Sequence, residues 1–143
     1  MIPATIERWH EVVRTRDIGA LDTLLADDVV FLSPVVHTPQ AGKALTTGYL
    51  RAALNVLNNE SFRYLGAWYG TRSAVLEFGT VLDGVQINGV DIIEWNADGQ
   101  IIRFKVMVRP LKAINLLHRM MGQMLTKLAG AGPAVPQAPA QPQ

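Results

Sequence analysis

Residues 81 to 108, VLDGVQINGVDIIEWNADGQIIRFKVMV, decide the fold. Asp83-Gly84 is the pair that closes a tight hairpin, because such a turn needs residues that tolerate a positive φ. Asn96-Ala97-Asp98-Gly99 marks a second turn, and the segments around both turns are rich in β-branched and aromatic residues. Consecutive antiparallel strands are therefore predicted. Closing the first turn over two residues pairs Leu82 with Val85, and so Leu76 with Asp91. Closing the second over four residues pairs Trp95 with Gln100, and so Asp91 with Phe104. Paired side chains share a face. Leu76, Phe78, Asp91, Ile93, Ile102, Phe104 and Val106 are expected to point inward, and Glu77, Glu94, Arg103, Lys105 and Arg109 outward. The register turns an aspartate into an inward carboxylate.

Upstream, residues 62 to 82 add further strands, FRYLGAWYG and SAVLEFGTVL. The first half of the chain is helical by spacing. Ile6, Trp9, Val12 and Val13 define a helix over 5–16. Asp17 is a plausible N-cap for a second, DIGALDTLLAD, which carries Leu21, Leu24 and Leu25 on one face. Residues 29–32, VVFL, read as a short strand stopped by Ser33-Pro34, and residues 43–57 return to helical spacing. Beyond Pro110, residues 111–129 form an amphipathic helix. The tail 130–143 is rich in Ala, Pro and Gln and is expected to be disordered. Helices followed by a run of strands give an α+β domain over 1–129, a curled antiparallel sheet covered by helices.

Composition narrows the function. The 143 residues carry 13 Lys+Arg against 12 Asp+Glu, a net charge of +1, so neither nucleic acid nor an anionic membrane is an expected partner. The chain has no cysteine, which removes disulfides, thiolate metal sites and a cysteine nucleophile. No apolar run has the length of a membrane span, and the start MIPATIERWHE is too polar for a signal peptide. A soluble cytoplasmic protein is the expectation.

The stretches RDIGALDTLLADDVVFLSPVV, DGVQINGVDIIEWNADGQIIRF and VMVRPLKAI, in this order, resemble the nuclear transport factor 2-like superfamily. That superfamily includes the SnoaL-like polyketide cyclases, ketosteroid isomerase and limonene-epoxide hydrolase. The resemblance spans about residues 5 to 110. It implies a cone of curved sheet and helices around a hydrophobic pocket, with a homodimer packed sheet to sheet. In ketosteroid isomerase a general-base aspartate precedes the proline of the first-strand motif, where this chain has Ser33 in SPVV. That enzyme's oxyanion-holding tyrosine falls at Trp9, and its protonated hairpin acid falls at Asp91. The hydrolase's arginine would be Gly89 and its second aspartate falls near Val106. In the cyclases a hairpin aspartate is the acid/base, and Asp91 is its counterpart.

Two roles stand open for Asp91. It either orders the cavity by bonding backbone amides or Trp9 Nε1, or it serves as an acid/base with a pKa raised by desolvation. Candidate ligand contacts are Trp9, Ser33, His37, Tyr49, Leu76, Phe78, Ile93, Phe104 and Val106. His37 follows the first strand, where a pocket mouth would lie. Tyr49 and Tyr64 are possible hydroxyl donors. Trp68 and Trp95 read as core or cavity wall. Ser33 has no histidine or acid at a nucleophile-motif spacing. His10 and His118 are far apart, so no metal is expected, and no cofactor. The methionine-rich HRMMGQML packs on its own domain or a partner chain, or covers the pocket mouth.

The functional expectation is a cofactor-free isomerase, cyclase or hydratase that uses Asp91 on an apolar small molecule. The alternative is a non-catalytic module that holds such a molecule or serves as a dimer surface. An outward face of Val75, Val81, Val90, Ile92 and Met107 among charges predicts a homodimer.

Overall fold

The computed structural model describes residues 1–131. Helix α1 (Ala4–Thr15) is followed by a single 3-10 turn (Ile18–Ala20), a one-turn α2 (Leu21–Leu24), and strands β1 (Leu25–Leu32) and β2 (Gln40–Ala41). Helix α3 (Lys43–Leu57) leads into β3 (Arg63–Tyr69), β4 (Ser73–Leu82), β5 (Val85–Trp95) and β6 (Ile101–Arg109), and α4 (Leu111–Ala131) closes the described chain. One curved sheet of six strands runs β2-β1-β6-β5-β4-β3, antiparallel except where β1 lies parallel to β6. The α+β reading holds. Helix α4 runs to Ala131, two residues past the boundary at which the tail was expected to start. Residues 132–143 lie outside the described residues.

The helix expected over 17–27 is mostly absent. At Leu25 the backbone turns extended (φ −90°, ψ 137°), and Leu25 pairs with Ile101 of β6. Leu21, Leu24 and Leu25 still all reach the core, but pairing with the sheet overrides helical spacing after one turn. Asp17 makes no side-chain capping bond.

The first hairpin has the expected register, with Leu82 opposite Val85 and Leu76 opposite Asp91. The second differs. Asn96 Oδ1 accepts the amides of Asp98 and Gln100 at 3.0 Å each, and Asn96 N–H donates to the Gln100 carbonyl. The loop is one residue longer than expected, and a bulge follows Glu94. Asp91 therefore faces Val106 rather than Phe104, and Phe104 faces Ile93. The shift is by two residues, so Asp91 keeps its inward face. The bulge also corrects one inward residue: Ile101 is fully buried and Ile102 is 37% exposed.

Helices α1 and α3 and the inner sheet face enclose the core, with Trp9 edge-on to Phe104 at 4.8 Å and Phe31 stacked on Tyr49 at 5.5 Å. Among the described residues no helix covers the outer sheet face. Trp68, Val75 and Ile92 lie in one cross-strand row, and Trp68 and Met107 are each more than half exposed. Arg103 and Glu94 pair there at 3.6 Å, as an outward charged stripe should. No described helix is long and apolar enough to cross a membrane.

Candidate functional site

A cavity of about 340 Å³ opens between the inner sheet face, α1, α3, the loop after β1, and α4. Its wall is apolar over most of its area, with Phe31, Phe62, Phe78, Phe104, Val106, Leu50 and Leu117 among the lining side chains. Asp91 interrupts that wall from the middle of β5.

The Asp91 carboxylate has one partner among the described residues. Tyr64 Oη donates to Oδ2 at 2.8 Å. The other oxygen has no protein partner among the described residues, and none of the ion pairs there involves Asp91. Behind Tyr64 stands Trp9, whose Nε1–H donates to Tyr64 Oη at 2.9 Å. An indole nitrogen can only donate, so the tyrosine oxygen accepts from it and passes its own proton toward the carboxylate. Burial without a cation raises the Asp91 pKa to about 7, and the Tyr64 hydrogen bond opposes that rise in part. The Tyr64 hydroxyl is raised well above its ordinary value, first by burial and then by the neighbouring carboxylate.

Of the residues expected at the site, Trp9, Ser33, Tyr49, Phe78, Asp91, Phe104 and Val106 line the cavity. Leu76 and Ile93 do not. Both are fully covered in the core, inside the sheet's own packing. His37 is exposed and lies outside the lining. Ser33 Oγ accepts the amides of Val35 and Val36 at 3.0 and 3.2 Å, a turn that brings those valines to the cavity and carries His37 past it. Trp9 Nε1 meets Tyr64 rather than Asp91 directly. Tyr49 Oη is buried with no hydrogen-bond partner among the described residues.

Three contributions go beyond the expected lining, and of these only Asn58 was wholly unanticipated. Tyr64 was weighed only as a possible donor, yet it is the group that holds Asp91. Asn58, at the end of α3, lines the cavity while its amide donates to the Val13 carbonyl at 2.7 Å. Helix α4 supplies Leu117, His118, Met121, Gly122, Leu125 and Thr126, so the methionine-rich segment packs on its own domain as a cavity wall. Among the described residues no cluster of three His, Asp or Glu is placed to hold a metal.

Among the described residues, a single buried acid thus stands in an apolar cavity enclosed by a curved sheet and helices. The SnoaL-like domain model matches residues 6–104, and the chain belongs to that family. It is similar to the crystal structure of a steroid delta-isomerase from Pseudomonas aeruginosa, at 36% identity and a TM-score of 0.84, covering 89% of this chain and 93% of that one. An uncharacterized protein with a cystatin-like fold from Silicibacter pomeroyi is 31% identical, covers 89% of each chain and superposes with a TM-score of 0.81. A nuclear transport factor 2-like protein of unknown function from Mesorhizobium loti shares the fold at 20% identity and a TM-score of 0.64, over 74% of this chain and 88% of that one. No curated protein is matched by the chain.

Proposed function

We propose that the protein binds an apolar carbonyl compound in this cavity and shifts a proton on it without a cofactor, with Asp91 as both acid and base. The observation that carries this reading is the Asp91 carboxyl itself, held by Tyr64 at 2.8 Å in an apolar wall with a pKa of about 7. Such a group is partly ionised near neutrality. It can remove a proton from the carbon next to a carbonyl, while the C–H electron pair moves into a conjugated enolate. The same proton, returned to another carbon of that system, completes an isomerisation with no other reagent. Exclusion of water strengthens each polar contact during the transfer. The likeness to a steroid delta-isomerase supports an isomerase-type role. Ser33 and Trp9 stand where the resemblance to ketosteroid isomerase places a base and an oxyanion-holding tyrosine, so the chemistry is concentrated on Asp91.

The contrary reading is a binding module, favoured by one observation: Asp91 is the only carboxylate lining the cavity among the described residues. Solvent-deuterium exchange into a bound cyclic enone separates the two. Wild type should exchange and isomerise it, and Asp91→Asn should bind it with similar affinity and do neither. Binding by wild type with no exchange would leave the module.

The protein would act as a homodimer through the outer sheet face, where Trp68, Val75, Ile92 and Met107 form an apolar surface on the side away from the cavity.

A further inference from the structure

Helix α4 presents two neighbouring ridges to the cavity. Residues four apart on a helix lie in one row. Leu117, Met121 and Leu125 form a row that is buried or half-buried, and His118, Gly122 and Thr126 form a row that is exposed yet still lines the cavity. A residue that both touches solvent and lines a cavity stands at its mouth. The outer row is therefore the rim, and its middle member is a glycine.

Glycine weakens a helix interior relative to alanine, so its place there needs a reason. Close packing is not that reason, since among the described residues a Cβ built at Gly122 meets no atom within 4 Å beyond its chain neighbours and its own helix backbone. A positive φ is not the reason either, for Gly122 is not among the glycines that have one. What remains is the opening itself, into which a side chain at 122 would project. The matched family model ends at residue 104, before α4 begins at Leu111.

We infer that the ligand enters over Gly122, and that it is an elongated apolar molecule whose polar outer end stays at the rim beside His118. The inference rests on the pocket reading above and adds the route and the ligand's outer end. Inside the rim, the α4 ridge offers only Leu117, Met121 and Leu125, which suit an apolar body. His118 is the one side chain of the outer row that can carry charge.

The absence of native cysteine allows a direct test. Gly122→Cys is folded first and then modified, either with a bulky aromatic maleimide or with a methylthio group. Anilinonaphthalene sulfonate, an aromatic body with one anionic end, is the probe. The bulky adduct should weaken dye binding by at least about tenfold and slow its association, while the smaller methylthio adduct should act in the same direction but several-fold less. Bound dye should in turn slow maleimide labelling. His118→Ala should weaken the dye while leaving a neutral naphthalene probe unaffected. If the unmodified protein binds dye and the bulky adduct binds it equally fast and tightly, the entrance lies elsewhere and the inference is overturned. If the unmodified protein binds neither probe, the pocket reading itself falls, and this inference with it.

Discussion

The Tyr64 hydroxyl donates to Asp91 Oδ2 at 2.8 Å while accepting from Trp9 Nε1 at 2.9 Å, so the three side chains form a chain with a fixed direction. It starts at a group that can only donate and ends at a carboxylate. The proton of Tyr64 is committed to Asp91 and is not offered to a ligand. Two opposed effects meet on the carboxyl: burial favours the neutral acid and the tyrosine favours the anion, with burial the larger.

Tyr64→Phe keeps the ring and removes that opposition. The Asp91 pKa should rise further, and Trp9 Nε1 should lose its acceptor at a cost of about 1–3 kcal/mol. Carboxyl NMR titration of Asp91 in both proteins reads the first effect, and denaturant melts read the second. An Asp91 pKa that stays put or falls in the variant would refute the geometry.

Asp91 makes stability depend on pH with a definite sign. Its folded pKa of about 7 lies above the ordinary aspartate value, so the folded state holds the proton more tightly than the unfolded chain does. The associated stability is fully present below the unfolded pKa and is lost as pH rises through about 7. The span between the two values corresponds to a loss of up to about 4 kcal/mol. Asp91→Asn cannot ionise and still accepts from Tyr64. It should match wild type at about pH 4 and exceed it at about pH 8, where the wild-type carboxyl is ionised. A variant less stable than wild type at the higher pH would identify Asp91 as a paired structural anion, and the acid/base role would go with it.

The inward face of Asp91 was legible in the sequence because it depends only on parity. The Asp83-Gly84 turn sets β4 against β5, and an error of two residues at the next turn leaves every β5 side chain on its side of the sheet. Tyr64 was not legible for the same reason turned around. Trp68 to Gly66 run opposite Val75 to Glu77 in simple alternation, which, continued, would put Leu65 opposite Phe78. A bulge between Tyr64 and Gly66 moves Tyr64 into that place and leaves Leu65 52% exposed. One extra residue thus decides which side chain meets Asp91. Nothing local to FRYLGAWYG announces it. The wall supplied by α4 was half legible: its apolar spacing predicts a packed helix, but the surface it packs on is set by where β6 ends.

Tyr49 Oη is buried and unpaired among the described residues, and burial raises its pKa. The ring stacks on Phe31, so the aromatic contact does not need the hydroxyl. Tyr49→Phe should therefore be neutral or stabilising by about 1 kcal/mol, since it removes a buried polar group that gains nothing. A clear loss of stability in thermal melts would mean that the hydroxyl has a partner, such as an ordered water.

Trp68 is 59% and Met107 55% exposed on the outer sheet face, so a charge at either should leave the folded protomer intact. If that face joins two copies, Trp68→Glu combined with Met107→Glu should shift the protein from dimer to monomer at micromolar concentration, with an unchanged circular dichroism spectrum. Light scattering that finds wild type monomeric, or the double variant still dimeric, would remove the sheet face from consideration.

Gly89 ties the fold of the hairpin to the shape of the cavity. It lies opposite Phe78, two residues before Asp91, and a Cβ there would come within 2.6 Å of both the Met107 carbonyl oxygen and Phe78 Cζ. The carbonyl belongs to the neighbouring strand and cannot swing away as a side chain can. Phe78 cannot simply retreat either, because it is 1% exposed and stacked on Phe62 at 5.5 Å, and both rings line the cavity. Gly89→Ala must therefore part β5 from β6 or push the Phe78 ring toward the space a ligand would take. Overpacking of this kind costs about 1–3 kcal/mol, and a clash with backbone belongs at the upper end. The expected result is a folded but destabilised protein that binds an apolar probe more weakly than Gly122→Ala does, because alanine at 122 meets open space and improves the helix. Equal melting temperatures for wild type and Gly89→Ala would show that the strands yield at no cost, and that the glycine is not what shapes this wall.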